Sequence, residues 1–332
     1  MISQTELVSL VKGDLIDHFL LIKKFEIRLT KAGKEFLSLE LGDKSASVPA
    51  NIWDDHSSFK SFRDSISVGD VVKVKGSVDD YQGNPQIKID SIRIPKQSEN
   101  VSPADFLPQS KRDLNEMLSE FNNRMKKISS SQLQKLLGNV FNEERLRKYS
   151  VAPAGKMWHH GYISGLIEHT LEIIRICDLM CDIHPEINRD LVITGAMLHD
   201  FGKIEELAFE SAFEYTDKGK LLGHMVIAAL IVNDEINKLN NFPEELKLNI
   251  IHLILSHQGK LEHASPVVPK TLEAITLYHA DELSAKVNAY KNSLETEARP
   301  NSQWTKFIGL AGTDLFNHGI KNLSNENKTL FD

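Results

Sequence analysis

Along residues 19–95 the apolar positions come in short runs, at 19–22, 36–41, 47–53, 71–76 and 86–94, and several of these runs alternate apolar with polar side chains. That alternation is the period of a strand with one face buried. The turn-forming stretches Lys31-Ala32-Gly33-Lys34 and Gln82-Gly83-Asn84-Pro85 separate neighbouring runs,. After Pro95 both periodicities stop, and Ser98, Glu99, Asn100, Ser102, Pro103 and Pro108 mark a polar connection,. From about Lys111 the apolar spacing becomes helical, beginning with Leu114, Met117, Leu118 and Phe121, and continues with interruptions to about Val287,. There is no internal repeat.

The order of the first five runs, with Gly69-Asp70 entering the fourth and a hairpin leading to the fifth, resembles an OB-fold, a five-stranded barrel used for oligonucleotides and oligosaccharides,. The expected fold class is therefore multidomain β + α. An OB-fold-like β-barrel occupies residues 1–95, a linker 96–112 and an all-helical domain 113–317. The polar, asparagine-rich tail at 318–332 is expected to be disordered.

Composition narrows the class of protein. The 332 residues include 41% hydrophobic and 26% charged side chains, as in an ordinary soluble protein,. A net charge of -7 argues against a broad basic footprint for nucleic acid and leaves room for a local positive groove,. Cys177 and Cys181 lie one helical turn apart in an apolar pattern, which reads as core packing without a disulfide framework,. No basic segment followed by an apolar stretch opens the chain and no window approaches a membrane span, so the expectation is a cytoplasmic protein without a membrane partner,.

The chemistry concentrates in the helical half. An apolar helical run at 191–198 ends in His199-Asp200 and is stopped by Gly202. An imidazole beside a carboxylate at the end of a buried helix is costly unless something satisfies both, and a metal ion does so. A helix beginning near Gly165 carries His169 beside the stripe Ile163, Leu166, Ile167, Leu171 and Ile174, and one opened by Pro269 carries Asp281. These helices can each offer one inward ligand to a common point. His224 sits at a helix start and His257 at a helix end; each alone is also what a purely structural histidine looks like.

The series His169, His199-Asp200 and Asp281 resembles the H…HD…D signature of HD-domain metallophosphohydrolases, and His224 with His257 resembles the branch holding two metals. With the preceding barrel, the stretch 152–162 ending His159-His160-Gly161-Tyr162, then 165–170, and later Ser256-His257-Gln258-Gly259 followed by Ser265-Pro266, nearly the whole chain is similar to the YhaM family of 3′-to-5′ exoribonucleases. One departure is His257-Gln258, where that family carries two adjacent histidines. A glutamine oxygen suits hard ions and replaces imidazole poorly with softer metals, so one or two ions per chain are expected. The resemblance implies manganese as the divalent metal. It also implies Asp200 bridging two ions, with His169, His199 and Asp281 on the first and His224 and His257 on the second.

Asp200 and Lys203 are then the catalytic candidates, Lys203 being spaced to reach a metal-held phosphate. Lys156, His159 and His160, just ahead of the first ligand helix, are candidate substrate contacts. In the barrel, Trp53, Phe36 and Tyr81 offer stacking surfaces, with Lys34, Lys73, Lys75 and Lys88 for the backbone. The reading is a metal-dependent 3′-to-5′ exoribonuclease acting on single-stranded RNA, with single-stranded DNA as a further substrate and a homo-oligomer left open. Two rivals are an HD phosphodiesterase or phosphatase for small nucleotides and a nonenzymatic nucleic-acid-binding scaffold.

Overall fold

The structure is a computed structural model and describes residues 4–81, 83–156, 158–209, 213–299, 302–319 and 330. Most of the tail expected from residue 318 lies outside the described residues. The chain forms two compact units, one reaching Pro108 and the other built from Gln109–Phe209 and Phe213–His318.

The first unit is a closed barrel of β1 (Leu15–Leu29), β2 (Glu35–Gly42), β3 (Ser47–Trp53), β4 (Val71–Tyr81) and β5 (Asn84–Arg93), in the order β1-β2-β3-β5-β4. Antiparallel β1–β4 pairing from Leu15↔Ser77 to Leu21↔Val71 and a parallel contact at Ala50↔Ile87 close it. Inward positions such as Leu20, Ile22, Leu37, Leu39, Ala50, Ile52, Val74 and Ile87 form one buried cluster. The OB-fold-like expectation is borne out. The short helix α1 (Phe59–Arg63), absent from the sequence reading, contributes Phe59 and Phe62 to that cluster. Residues read as linker form two single turns, Gln97–Glu99 and Pro103–Phe106. They are held by the Arg93–Glu99 bridge at 2.6 Å and by buried Phe106.

The second unit is helical: α2 (Leu114–Lys126), α3 (Ser131–Val140), α4 (Glu143–Val151), α5 (Gly165–Ile183), α6 (Arg189–Leu198), α7 (Lys203–Glu206), α8 (Asp217–Asn237), α9 (Glu244–Ser256) and α10 (Leu272–Thr296). A two-stranded ribbon, β6 (Leu207–Ala208) with β7 (Glu214–Tyr215), links α7 to α8. Side-chain caps start many of the helices, among them Asp113, Ser130, Asn142, Asn188, Thr216 and Thr271,. Thr271, rather than Pro269, opens the helix carrying Asp281. Cys177 and Cys181 are buried and free. Among the described residues no helix is long and apolar enough to cross a membrane.

Candidate metal centre

His199 caps the end of α6, and Asp200 follows before α7 begins. The turn is anchored by Phe201, fully buried, which meets Phe141 edge-on at 5.1 Å and stacks on Tyr149 at 6.0 Å. Such aromatic contacts fix the backbone on either side of the pair. Gly202 allows α8 to come close, because a Cβ there would lie 2.1 Å from the His224 carbonyl oxygen. Gly223 breaks the helical path of α8 with φ 71°, a conformation glycine adopts without strain, immediately before His224,. The sequence reading of His224 as a helix start thus corresponds to a kink inside α8.

Four imidazoles and two carboxylates converge here. On one side of Asp200, its Oδ2 lies 3.2 Å from His199 Nε2 and 3.8 Å from His169 Nε2. His169 Nε2 is also 3.0 Å from Asp281 Oδ1. On the other side, Asp200 Oδ1 lies 3.3 Å from His224 Nε2 and 3.6 Å from His257 Nε2. The potential ligand atoms of His169, His199 and Asp281 lie within 4.8 Å of one another, as do those of His199, Asp200 and His257.

Each ring is held from behind. His199 Nδ1 is 2.8 Å from the Ala196 carbonyl and His257 Nδ1 2.8 Å from the Ile254 carbonyl, so both nitrogens donate their protons there. His224 Nδ1 is 3.1 Å from Glu206 Oε1. The Ser284 hydroxyl donates to Glu172 Oε2 at 2.7 Å, so its oxygen is left to accept from His169 Nδ1 at 2.9 Å. All four Nε2 lone pairs are thereby turned inward, the arrangement that outer partners impose on metal-binding imidazoles.

The fit to a cation can be judged from the atoms themselves. His199 Nε2, His224 Nε2 and Asp200 Oδ1 are buried without a hydrogen-bond partner, which is costly unless a further group satisfies them. A divalent cation between them would do so, and imidazole with carboxylate suits a transition metal. The electrostatics agree. Burial pushes the Asp200 carboxyl up, but the Lys203 ammonium and then His199 outweigh it and hold it well below the usual range. Burial pushes His257 down to about 3 and, with His160 beside it, His169 well below its ordinary value, leaving both as neutral donors. His199 is the exception: burial lowers it, and the neighbouring Asp200 charge more than restores it.

Lys203 is buried and donates to Asp200 Oδ2 at 2.6 Å. It also lines a cavity of about 180 Å³, together with His159, His257 and Asp281. Trp158, Tyr278, Glu282 and Lys286 complete much of the wall. Of the other candidate substrate contacts, His160 is buried behind His169, with ring centroids 5.0 Å apart, and Lys156 pairs with Glu214 at 2.9 Å away from the cavity wall. Trp53 lies in the barrel unit, half exposed and stacked on Phe36 at 4.9 Å.

The sequence reading missed Glu172, Ser284 and Glu206. A faint signal existed: Glu172 stands three residues after His169 and Ser284 three after Asp281, which puts each pair on one helical face,.

Residues 166–286 match the family described as HD domain, and residues 22–95 the one described as OB-fold nucleic acid binding domain. A Bacillus subtilis (strain 168) protein named 3′-5′ exoribonuclease YhaM is 33% identical, over 92% of this chain and 95% of its own length. A protein of the same name from Oceanobacillus iheyensis is 36% identical over 85% and 88%. One from Listeria monocytogenes is 31% identical over 92% and 96%.

Proposed function

The chain belongs to the YhaM family of 3′-5′ exoribonucleases, and on that premise we propose that it is a divalent-metal-dependent hydrolase removing nucleotides from the 3′ end of single-stranded RNA. The observation that carries the metal dependence is the convergence of four Nε2 atoms on the two oxygens of Asp200, each ring tied at Nδ1. His169, His199 and Asp281 would hold one ion and His224 and His257 a second, with Asp200 reaching both. Manganese is the preferred ion. A metal bound there supplies a water of lowered pKa and neutralises phosphate charge.

The chain's own residues do the rest. Lys203, buried against Asp200 and lining the cavity, is placed to meet a non-bridging phosphate oxygen,. Ser284, Glu206 and the carbonyls of Ala196 and Ile254 keep the imidazoles oriented. His159, part-buried in the cavity wall and held well below its ordinary pKa by burial, is a neutral contact for the substrate. Trp53 with Phe36 offers a face for stacking bases of the same strand, and single-stranded DNA can use that face as well.

The test incubates metal-stripped protein with manganese and 5′-labelled single-stranded RNA, beside a panel of small nucleotides. Stepwise shortening from the 3′ end that requires the added metal is expected. Inert RNA with a hydrolysed mononucleotide would transfer the chemistry to a small-molecule phosphohydrolase.

A further inference from the structure

Asp281 and Glu282 are neighbours on α10, and both line the cavity that Lys203 and His257 also line. The phosphate end of a bound nucleotide belongs beside the Lys203 ammonium and the ions that the proposed ligands would hold. Glu282 cannot serve that end, since a carboxylate repels phosphate. It therefore faces whatever part of the terminal nucleotide lies next to the phosphate, which is the sugar.

Its geometry suits hydroxyl groups. Glu282 Oε1 accepts from Lys286 at 2.8 Å, which fixes the side chain. Oε2 is 3.7 Å from His279 Nδ1, beyond hydrogen-bonding distance,. One carboxylate oxygen is thus held in the cavity wall with acceptor capacity to spare. The cavity, at about 180 Å³, lies below the few hundred Å³ usual for a whole ligand, so it encloses part of one nucleotide.

We propose that Glu282 reads the free ribose hydroxyls of the 3′-terminal nucleotide and rejects a 3′-phosphate, with Lys286 as the residue that holds it in place. This inference rests on the exonuclease reading above. A terminal 3′-hydroxyl donates to the open oxygen, whereas a 3′-phosphate brings a second anion to the same wall. Specificity then comes from a repulsive element as much as an attractive one.

The test compares kcat/KM on RNAs identical except for a 3′-hydroxyl or a 3′-phosphate end, with saturating manganese. The unsubstituted protein is expected to favour the hydroxyl end by about a hundredfold, the scale of a charge-assisted hydrogen bond gained or lost. Glu282→Gln removes the repulsion and releases Lys286 to meet the phosphate, so the preference should fall by about tenfold or more. Lys286→Ala, an exposed position that does not threaten the fold, leaves Glu282 charged but no longer tied at Oε1, so the preference should fall there too, by a smaller factor than in Glu282→Gln. A preference unmoved by both substitutions, or equal rates on both ends for the unsubstituted protein, overturns the role of Glu282. RNA left intact by the unsubstituted protein overturns the exonuclease reading instead.

Discussion

The candidate metal centre and the barrel surface solve opposite problems. In the helical unit, His169, His199, Asp200, Lys203 and His257 are all buried, and each ring nitrogen that does not face Asp200 is occupied by a named partner. On the barrel, Trp53 and Tyr81 are exposed and three of the four lysines read as backbone contacts are already paired: Lys34 with Asp54, Lys73 and Lys75 with Asp17. Burial makes every group at the centre expensive to leave unsatisfied, so the geometry there is over-determined. Exposure makes each group on the barrel cheap and replaceable. Substitutions should therefore act steeply in one region and shallowly in the other.

The largest effect belongs to Asp200→Asn. The substitution removes the carboxylate that faces both pairs of imidazoles and leaves the Lys203 ammonium buried beside a neutral amide. Turnover of end-labelled RNA should fall by about a thousandfold or more, as loss of a central catalytic group does, while far-UV circular dichroism at 25 °C stays that of a folded chain. An active variant would break the comparison at its strongest point, because the centre would then be no more essential than the surface.

Ser284→Ala is the next step down. The hydroxyl is the link that makes His169 carry its proton on Nδ1, through the Glu172 carboxylate. Manganese affinity, measured by calorimetry on metal-stripped protein, should weaken by about 10- to 100-fold, the usual result of losing an outer partner. Saturating manganese should recover most of the turnover. Unchanged affinity would show that His169 needs no help to hold its tautomer.

How much of this was legible beforehand follows the same division. The run 47–53 coincides with β3 because its alternation is uninterrupted, Val48, Ala50 and Ile52 pointing inward. The run at 19–22 covers only the middle of β1. A bulge between Ile22 and Lys24 resets the register, and beyond it Ile27 and Leu29 are exposed, so the pattern no longer marks a buried face. The five residues of α1 are too few to show a helical period. In the site, His169, His199, Asp200, His224, His257 and Asp281 could be named because imidazoles and carboxylates amid apolar helical runs stand out by type. What holds them could not. The partners of His199 and His257 are backbone carbonyls, which carry no residue signal, and Ser284 reaches His169 across 115 positions of chain.

On the barrel, Trp53→Ala should weaken binding of single-stranded RNA by about tenfold, near the lower end of what stacking one base contributes. Fluorescence anisotropy with a labelled oligonucleotide, in EDTA to prevent hydrolysis, measures it. Phe36 loses its stacking partner but the barrel core does not include Trp53, so thermal stability should change little. Binding unaffected by the substitution would assign Trp53 to packing against Phe36 alone.

The smallest effect sharpens the comparison most, because it predicts a gain. Asp17 bridges Lys73 at 2.9 Å and Lys75 at 3.1 Å on the barrel surface. Hydrogen bonds from Lys73 and then Lys75 hold its carboxyl below its ordinary pKa. A depressed carboxyl stabilises the fold above its unfolded pKa, and that contribution disappears as the pH falls through the folded value. The Asp17 side chain is 53% exposed, so solvent screening leaves about 1 kcal/mol or less. Asp17→Asn should accordingly lower stability only slightly at pH 7 and not at all at strongly acid pH. At the same time it frees the Lys75 ammonium for phosphate, while Lys73 stays bonded to the Asp17 backbone carbonyl at 2.7 Å, so RNA affinity at low salt should rise about twofold and depend more steeply on salt. If affinity falls instead, Asp17 is arranging the lysines for RNA rather than occupying them, and the barrel surface is preorganised in the way the metal centre is.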